Sequence, residues 1–284
     1  MPNDTRLHRE GGANLLSAAK ALGVKRYVLQ SRGFYLEAPQ GSLADETAAL
    51  RYDAPGQIGD SARVIGAYEN RVTGSIALEG VVLRYGFFYG PGTSYRLDGA
   101  IAERARKGGM AIIGDGNAVW SFVHLDDAVA ATVASLTAEA GVYNVVDDDP
   151  LPVATWMPAF ARWVDAPAPA SVSVAVAREA AGEEAVYYHT HLSGASNRAA
   201  KGKTRFRAAA VALEGCLNRC STPNCPNRWR RSAGIWTRTS PGYLRRQPAY
   251  WRPGEGHPHE CHHRMVGPAR HGDVPTRQPP FRRS

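Results

Sequence analysis

The amino-acid sequence predicts an α/β fold in which a parallel sheet is joined by crossover helices. Three observations lead there. Short apolar runs of strand type alternate with stretches of helical periodicity through residues 11–200. The runs are continuously apolar instead of alternating, as in strands covered on both faces. Periodicity then stops after Lys203.

The elements follow in order. Leu15, Leu16, Ala18, Ala19 and Leu22 recur at helical spacing, and Gly23 stands where a left-handed residue ends such a helix. Residues 27–31, Tyr-Val-Leu-Gln-Ser, form a strand, followed by a long loop through Pro39, Gly41 and Pro55. Ser61 is placed to cap a second helix that runs to about Ala77. Glu79-Gly80 turns the chain into Val-Val-Leu-Arg-Tyr at 81–85, a strand of the doubly buried kind. Beyond it lie a Gly/Pro loop at 86–93, a helix over 99–107, a short apolar run at 110–113 and a short strand at 119–123. A helix starts at Asp126 with Val129, Val133 and Leu136 on one face. A strand over 142–146 and helices over 153–164 and 183–192 complete the body.

Charge divides the chain sharply. Residues 204–284 hold fifteen Arg, no Lys and four acids, a net +11, whereas residues 1–203 carry nineteen basic and twenty-two acidic groups, a net −3. The tail also holds ten of the nineteen prolines, Trp229, Trp236, Trp251 and all four cysteines. Arginine without lysine among Pro, Gly, Cys, Trp and His is the composition of a GC-rich gene translated out of frame, so a frameshift near Lys203 and a disordered tail are expected. Two domains are read accordingly, 1–203 and 204–284. Cys216, Cys220, Cys225 and Cys261 with His262 and His263 fit no common zinc-ligand spacing, so no metal is expected. The arginines are evenly spread and lack a folded platform, which excludes specific nucleic-acid recognition. No run of eighteen apolar residues exists, and residues 1–10 carry no apolar leader, so no membrane association is expected and the protein is placed in the cytoplasm.

Four segments carry a resemblance. Gly-Val-Lys-Arg-Tyr-Val-Leu-Gln-Ser at 23–31, Leu-Arg-Tyr-Gly-Phe-Phe-Tyr-Gly-Pro-Gly-Thr at 83–93, Trp-Ser-Phe-Val-His-Leu-Asp-Asp-Ala at 120–128 and Tyr-Asn-Val at 143–145 occur in this order. They are similar to segments of the extended short-chain dehydrogenase/reductases, the NAD-dependent epimerase/dehydratase family. The resemblance implies a Rossmann-like domain binding NAD or NADP, intertwined with a small C-terminal substrate region. It also implies a small-molecule substrate, nucleotide-linked or sugar-like, and a homodimer. Ser31 then matches the catalytic serine, and Tyr35 is a stand-in acid/base group. Ser31, Tyr85, Gly86 and Phe87 would line the cofactor, and Phe87, Tyr89, Trp120 and His124 the substrate.

Departures from the pattern are as informative. A Rossmann domain holds pyrophosphate at a glycine turn that opens a helix. The sequence contains no G-x-x-G-x-x-G, and the first strands of such a sheet are expected to be missing. No Tyr-x-x-x-Lys occurs; Ser61 and Ile65 stand at those places, with Glu69 at the acid that follows. An unassisted phenol, near pKa 10, is a poor base at neutral pH. Phe87 replaces a common asparagine, and Trp120 an arginine that clamps diphosphates in the family. The remaining candidates have plain structural readings: Arg84 as an ion-pair partner, His124 at a strand-to-helix junction, Asp126 and Asp127 as helix-terminal charges, and Asp147-Asp148-Asp149 as a solvated turn.

The sequence therefore points to an NAD(P)-dependent oxidoreductase acting at a carbinol or carbonyl carbon. The alternative is a non-catalytic relative that binds a dinucleotide or a partner, or an inactive gene fragment.

Overall fold

A computed structural model of the protein describes residues 6–203. The expected tail and its cysteines lie outside the described residues. A π-helical turn, Leu7–Gly11, runs into α1 (Gly12–Ala21), and Gly23 adopts the expected left-handed conformation at φ 65°. The chain then forms β1 (Arg26–Arg32), α2 (Gly56–Thr73) and β2 (Glu79–Tyr85). Next come β3 (Phe87–Tyr89), α3 (Ala100–Arg106), β4 (Ala111–Ile113), β5 (Val119–Trp120), β6 (Phe122–His124) and α4 (Leu125–Ala134). The remaining elements are β7 (Gly141–Val145), β8 (Leu151–Pro152), α5 (Val153–Trp163), β9 (Ala170–Val172), α6 (Val174–Thr190) and α7 (Arg198–Lys203).

The central sheet is parallel in the order β1-β2-β7, with Ser31 opposite Arg84 and Arg84 opposite Asn144. In β2 every residue after Glu79 is buried, which explains the unbroken apolar run in its sequence. One face packs under α1 and α2 through Leu16, Ala19, Leu29, Tyr68, Val72 and Val82. The other packs under α4 and α7 through Val81, Leu83, Val123, Ala128, Ala131 and Ala200. A third and larger core joins the 34–58 region to β6, α5 and the end of α6, centred on Trp156, Phe160, Phe122 and Leu36. Small two-stranded pairings, β3 with β6, β4 with β9 and β5 with β8, frame it.

Several local expectations are corrected. Helix α2 begins at Gly56, directly after Pro55, and ends at Thr73; Ser61 lies in its second turn and does not cap it. The strand expected at 119–123 is split at Ser121, whose hydroxyl accepts the Ala195 N–H at 2.7 Å. Part of the expected 86–93 loop is strand β3, paired with β6. Helix α6 starts at Val174, capped by the side chain of Ser173, and breaks at Gly182, where φ is 84°. The apolar stripe of this segment faces solvent: Val129 and Val133 of α4 and Leu136 just beyond it are 56, 61 and 60% exposed, while Asp127, Ala128 and Ala131 form the buried face. A stripe at helical spacing reports amphipathicity; it does not say what covers it.

Candidate active site

The carboxyl ends of β1 and β2 carry most of the residues singled out by sequence. Ser31 is 2% exposed, and its hydroxyl donates to Glu69 of α2. Arg84, at the paired position of β2, holds the same carboxylate through Nε at 3.0 Å and Nη2 at 2.6 Å. Its remaining nitrogen, Nη1, donates to the Glu46 carbonyl at 3.2 Å. Serine, glutamate and arginine thus form a closed, buried network. Such a network is tolerated inside a protein only because each charge has its partner.

Beyond Ser31, the strand end opens toward α2. Arg32 is half-buried, with Nη1 3.4 Å from the Ser61 hydroxyl and its guanidinium 6.0 Å from the centre of the Tyr35 ring. The Tyr35 hydroxyl meets that of Tyr188 from α6 at 2.8 Å. Burial, and then Tyr35, push the Tyr188 phenol above its ordinary range, so at neutral pH it remains a hydrogen-bonding hydroxyl and no base.

Aromatic rings fill the space next to this pair. Phe34 stacks on Phe87 at 4.4 Å, and Phe87 stacks on Trp120 at 4.3 Å. Trp120 leans on Trp156 at 5.0 Å and donates its indole N–H to the Tyr188 carbonyl at 2.7 Å. Phe34, Phe87 and Tyr188 keep part of their surface in solvent. The structure thus brings Tyr35, Phe87 and Trp120 together, joined by Arg32, Phe34 and Tyr188.

The other candidates stand apart. Tyr85 sends its hydroxyl to Thr132 of α4 at 2.5 Å, into the core beneath that helix. At Gly86 a Cβ would collide with the Ser121 carbonyl, so this glycine serves a close backbone approach. Tyr89 and His124 pack edge to face at 5.1 Å, and His124 caps α4 by accepting the Asp126 N–H at 3.2 Å. Next to them lies Asp147, which corrects the reading of 147–149 as a solvated turn. Asp147 is 5% exposed, and neither carboxylate oxygen has a hydrogen-bond partner of good geometry. Burial raises its pKa to about 7, against the opposing pull of Tyr89. Asp148 does reach solvent; it binds Asn197 and pairs with Lys201.

Of the residues that sequence reasoning passed over, Arg32 carried a signal: a cation at the carboxyl end of a strand, where α/β sheets place their ligands. Phe34 and Tyr188 carried none beyond being aromatic.

Among the described residues no glycine turn joins a strand to a helix. β1 runs into the long loop, β2 into β3, and β6 enters α4 directly at His124. These residues do not fit the pyrophosphate of a dinucleotide, which needs converging backbone N–H groups at such a junction. They form no group of three or more His, Cys, Asp or Glu that could hold a metal, and no helix among them is long and apolar enough to cross a membrane.

Comparison with known proteins places this architecture. The model of the NAD dependent epimerase/dehydratase family matches residues 3–146. A 3-diazoavenalumate denitrifying reductase from a Streptomyces species is 43% identical over 199 residues, 69% of this chain; the match spans 65% of the reductase's length. Among solved structures, the UDP-glucose 4-epimerase of Thermus thermophilus in complex with NAD is 25% identical at a TM-score of 0.59, covering 82% of this chain and 72% of that one. The dTDP-glucose 4,6-dehydratase of Streptomyces venezuelae with NAD, 18% identical over 80% of this chain and 66% of that one, has the same fold at a TM-score of 0.59. With its parallel sheet, its ordered segments and these relatives, the chain belongs to the NAD-dependent epimerase/dehydratase family of oxidoreductases.

Proposed function

We propose that the chain serves an NAD(P)-linked reductase whose substrate is a planar aromatic molecule and not a nucleotide sugar. The observation that carries this reading is the aromatic stack Phe34–Phe87–Trp120, open on the Phe34, Phe87 and Tyr188 side. Aromatic faces favour flat, apolar partners through offset stacking. They offer neither the charge that clamps a diphosphate nor the hydrogen bonds that read sugar hydroxyls, and the Arg-to-Trp and Asn-to-Phe departures at 120 and 87 remove both.

The missing Tyr-x-x-x-Lys supports the same reading. Oxidation or reduction at a carbinol carbon moves a proton on oxygen, and a general acid/base must handle it. The 43% identical reductase is named for denitrifying a diazo compound. Replacing a diazonium group by hydrogen takes up a hydride equivalent and expels N2, with no oxygen-bound proton to move. A site of this kind has no use for the pair. Ser31, already engaged by Glu69, is then a structural residue at the base of the site, and Tyr35 a wall residue.

Titration of the chain with cinnamamide, followed by tryptophan fluorescence, tests the substrate class against UDP-glucose. Quenching by cinnamamide that is lost in Trp120→Phe, with no response to UDP-glucose, is expected. Saturable binding of UDP-glucose without any of cinnamamide would overturn the reading and return the sugar substrate implied by resemblance.

A further inference from the structure

Two phenols meet at the edge of the aromatic wall, and between them they hold one proton too many. Each hydroxyl carries one. The bond between Tyr35 and Tyr188, 2.8 Å from oxygen to oxygen, uses one of the two. Among the described residues neither oxygen has a second hydrogen-bond partner, so one O–H is left to donate elsewhere. Glu184, the acid that bears on Tyr188, accepts the Gln57 N–H at 2.6 Å instead. Burial decides which proton is spare. Tyr35 is 5% exposed, whereas Tyr188 keeps part of its surface in solvent. Tyr35 therefore donates inward to Tyr188, and the spare proton is that of Tyr188. A hydroxyl that accepts one hydrogen bond is polarised into a better donor. Both residues are also held by their backbones: the Tyr35 carbonyl accepts the Arg51 N–H at 2.8 Å, and the Tyr188 carbonyl the Trp120 indole N–H at 2.7 Å. The Tyr188 ring centre lies 6.4 Å from that of Phe87 and 5.8 Å from that of Trp120, so a flat ligand on the wall meets this tyrosine with its edge.

We propose that Tyr188, backed by Tyr35, is the polar contact that orients the substrate: its O–H is donated to a carbonyl oxygen conjugated to the aromatic ring that lies on Phe34 and Phe87. The inference rests on the aromatic-substrate reading above and narrows it to aromatic carbonyl compounds. Tyr188 is a positioning residue in this role, and its proton stays on the phenol. Ring and carbonyl are recognised by different groups, so the two claims separate experimentally.

Cinnamamide and trans-β-methylstyrene share the phenyl ring and its double bond, and only the amide offers an oxygen. In calorimetric titration the unmodified chain is expected to bind cinnamamide about three- to tenfold more tightly, the advantage of one neutral hydrogen bond. In Tyr188→Phe, which keeps the ring, cinnamamide is expected to weaken by about that factor while the hydrocarbon changes less than about twofold. Tyr35→Phe, which leaves the Tyr188 proton in place, is expected to weaken cinnamamide less than Tyr188→Phe does. A hydrocarbon bound as tightly as the amide by the unmodified chain overturns the donor, leaves the aromatic reading standing and needs no variant to fold. An equal loss for both ligands in Tyr188→Phe also overturns it, since the ring is then only part of the wall. A larger loss in Tyr35→Phe than in Tyr188→Phe overturns the assignment of the donor to Tyr188. If the unmodified chain binds neither ligand, the aromatic reading fails and the donor fails with it.

Discussion

Replacing Asp147 with asparagine removes a buried carboxyl that has no hydrogen-bond partner of good geometry and lies near a second acid, Asp127. Burial lifts its pKa from 3.8 to about 7, and at about 1.4 kcal/mol for each tenfold this corresponds to a ceiling of about 4 kcal/mol. The sign follows from linkage. In the unfolded chain the group loses its proton near pH 4, while the folded chain keeps it until about pH 7. Across that window the folded state binds more protons, so stability falls as pH rises and the penalty is complete above pH 7. The substituted amide does not titrate. Urea unfolding of parent and variant at half-unit steps from pH 4 to 8 should therefore show the stability of the parent falling relative to the variant by up to about 4 kcal/mol. A shifted carboxyl that does not act on Asp147, Glu46, is common to both proteins and cancels in the difference. The amide brings an unsatisfied polar group of its own, which costs about 1–3 kcal/mol at every pH and displaces the whole curve without changing its slope. Parallel profiles for the two proteins would refute the reasoning and place Asp147 in contact with solvent or with a cation.

Further expectations concern the site's supports. Glu69→Ala strands Arg84 as a buried, uncompensated charge, and urea midpoints should record a loss of about 3–5 kcal/mol; Ser31→Ala, which deletes one hydrogen bond of the network, should cost only about 1 kcal/mol and leave cinnamamide affinity unchanged. A large affinity loss in Ser31→Ala would restore the serine to the binding site. Gly90 has φ 104°, and a Cβ there would come within 2.6 Å of the His124 ring, so Gly90→Ala should lower the melting temperature through a destabilisation of about 1–3 kcal/mol. An unchanged melting temperature would mean that the loop after β3 relaxes freely. Val133→Lys on the exposed stripe of α4 should alter stability by no more than about 0.5 kcal/mol. A loss above about 2 kcal/mol would show that something covers that face in solution.

What the sequence disclosed, and what it withheld, follows the range of the interactions concerned. Gly23 was legible because a left-handed residue after a helical stretch is a local requirement, and the doubly buried β2 because its whole run is apolar. Phe87–Tyr89 as a strand was not, since its pairing partner β6 lies thirty-five residues on and nothing within three residues distinguishes a ladder from a loop. The acid at 147 misled for a related reason: three consecutive aspartates resemble a solvated turn, but the hydrogen bond from the Asp147 N–H to the Phe122 carbonyl draws the first of them inside. Motif order identified the family; it could not show that Ser31 is already engaged by Glu69, because that bond depends on the β1-β2 register and on α2 lying across it.

The same register bears on how such a site changes chemistry. If the carboxylate of Glu69 holds both Ser31 and Arg84 whatever stands at 61 and 65, the floor of the site does not depend on the Tyr-x-x-x-Lys pair. The pair can be lost without unfolding the strand ends. The wall can then turn aromatic at 34, 87 and 120 while the backbone that carries it stays fixed by β2. On this argument specificity is carried by side chains at the strand ends and in the segments that follow them, and stability by the network beneath. Glu69→Gln, which keeps hydrogen bonds but not charge, should therefore reduce stability far more than it alters the affinity for cinnamamide; the opposite outcome would mean that floor and wall act as one unit.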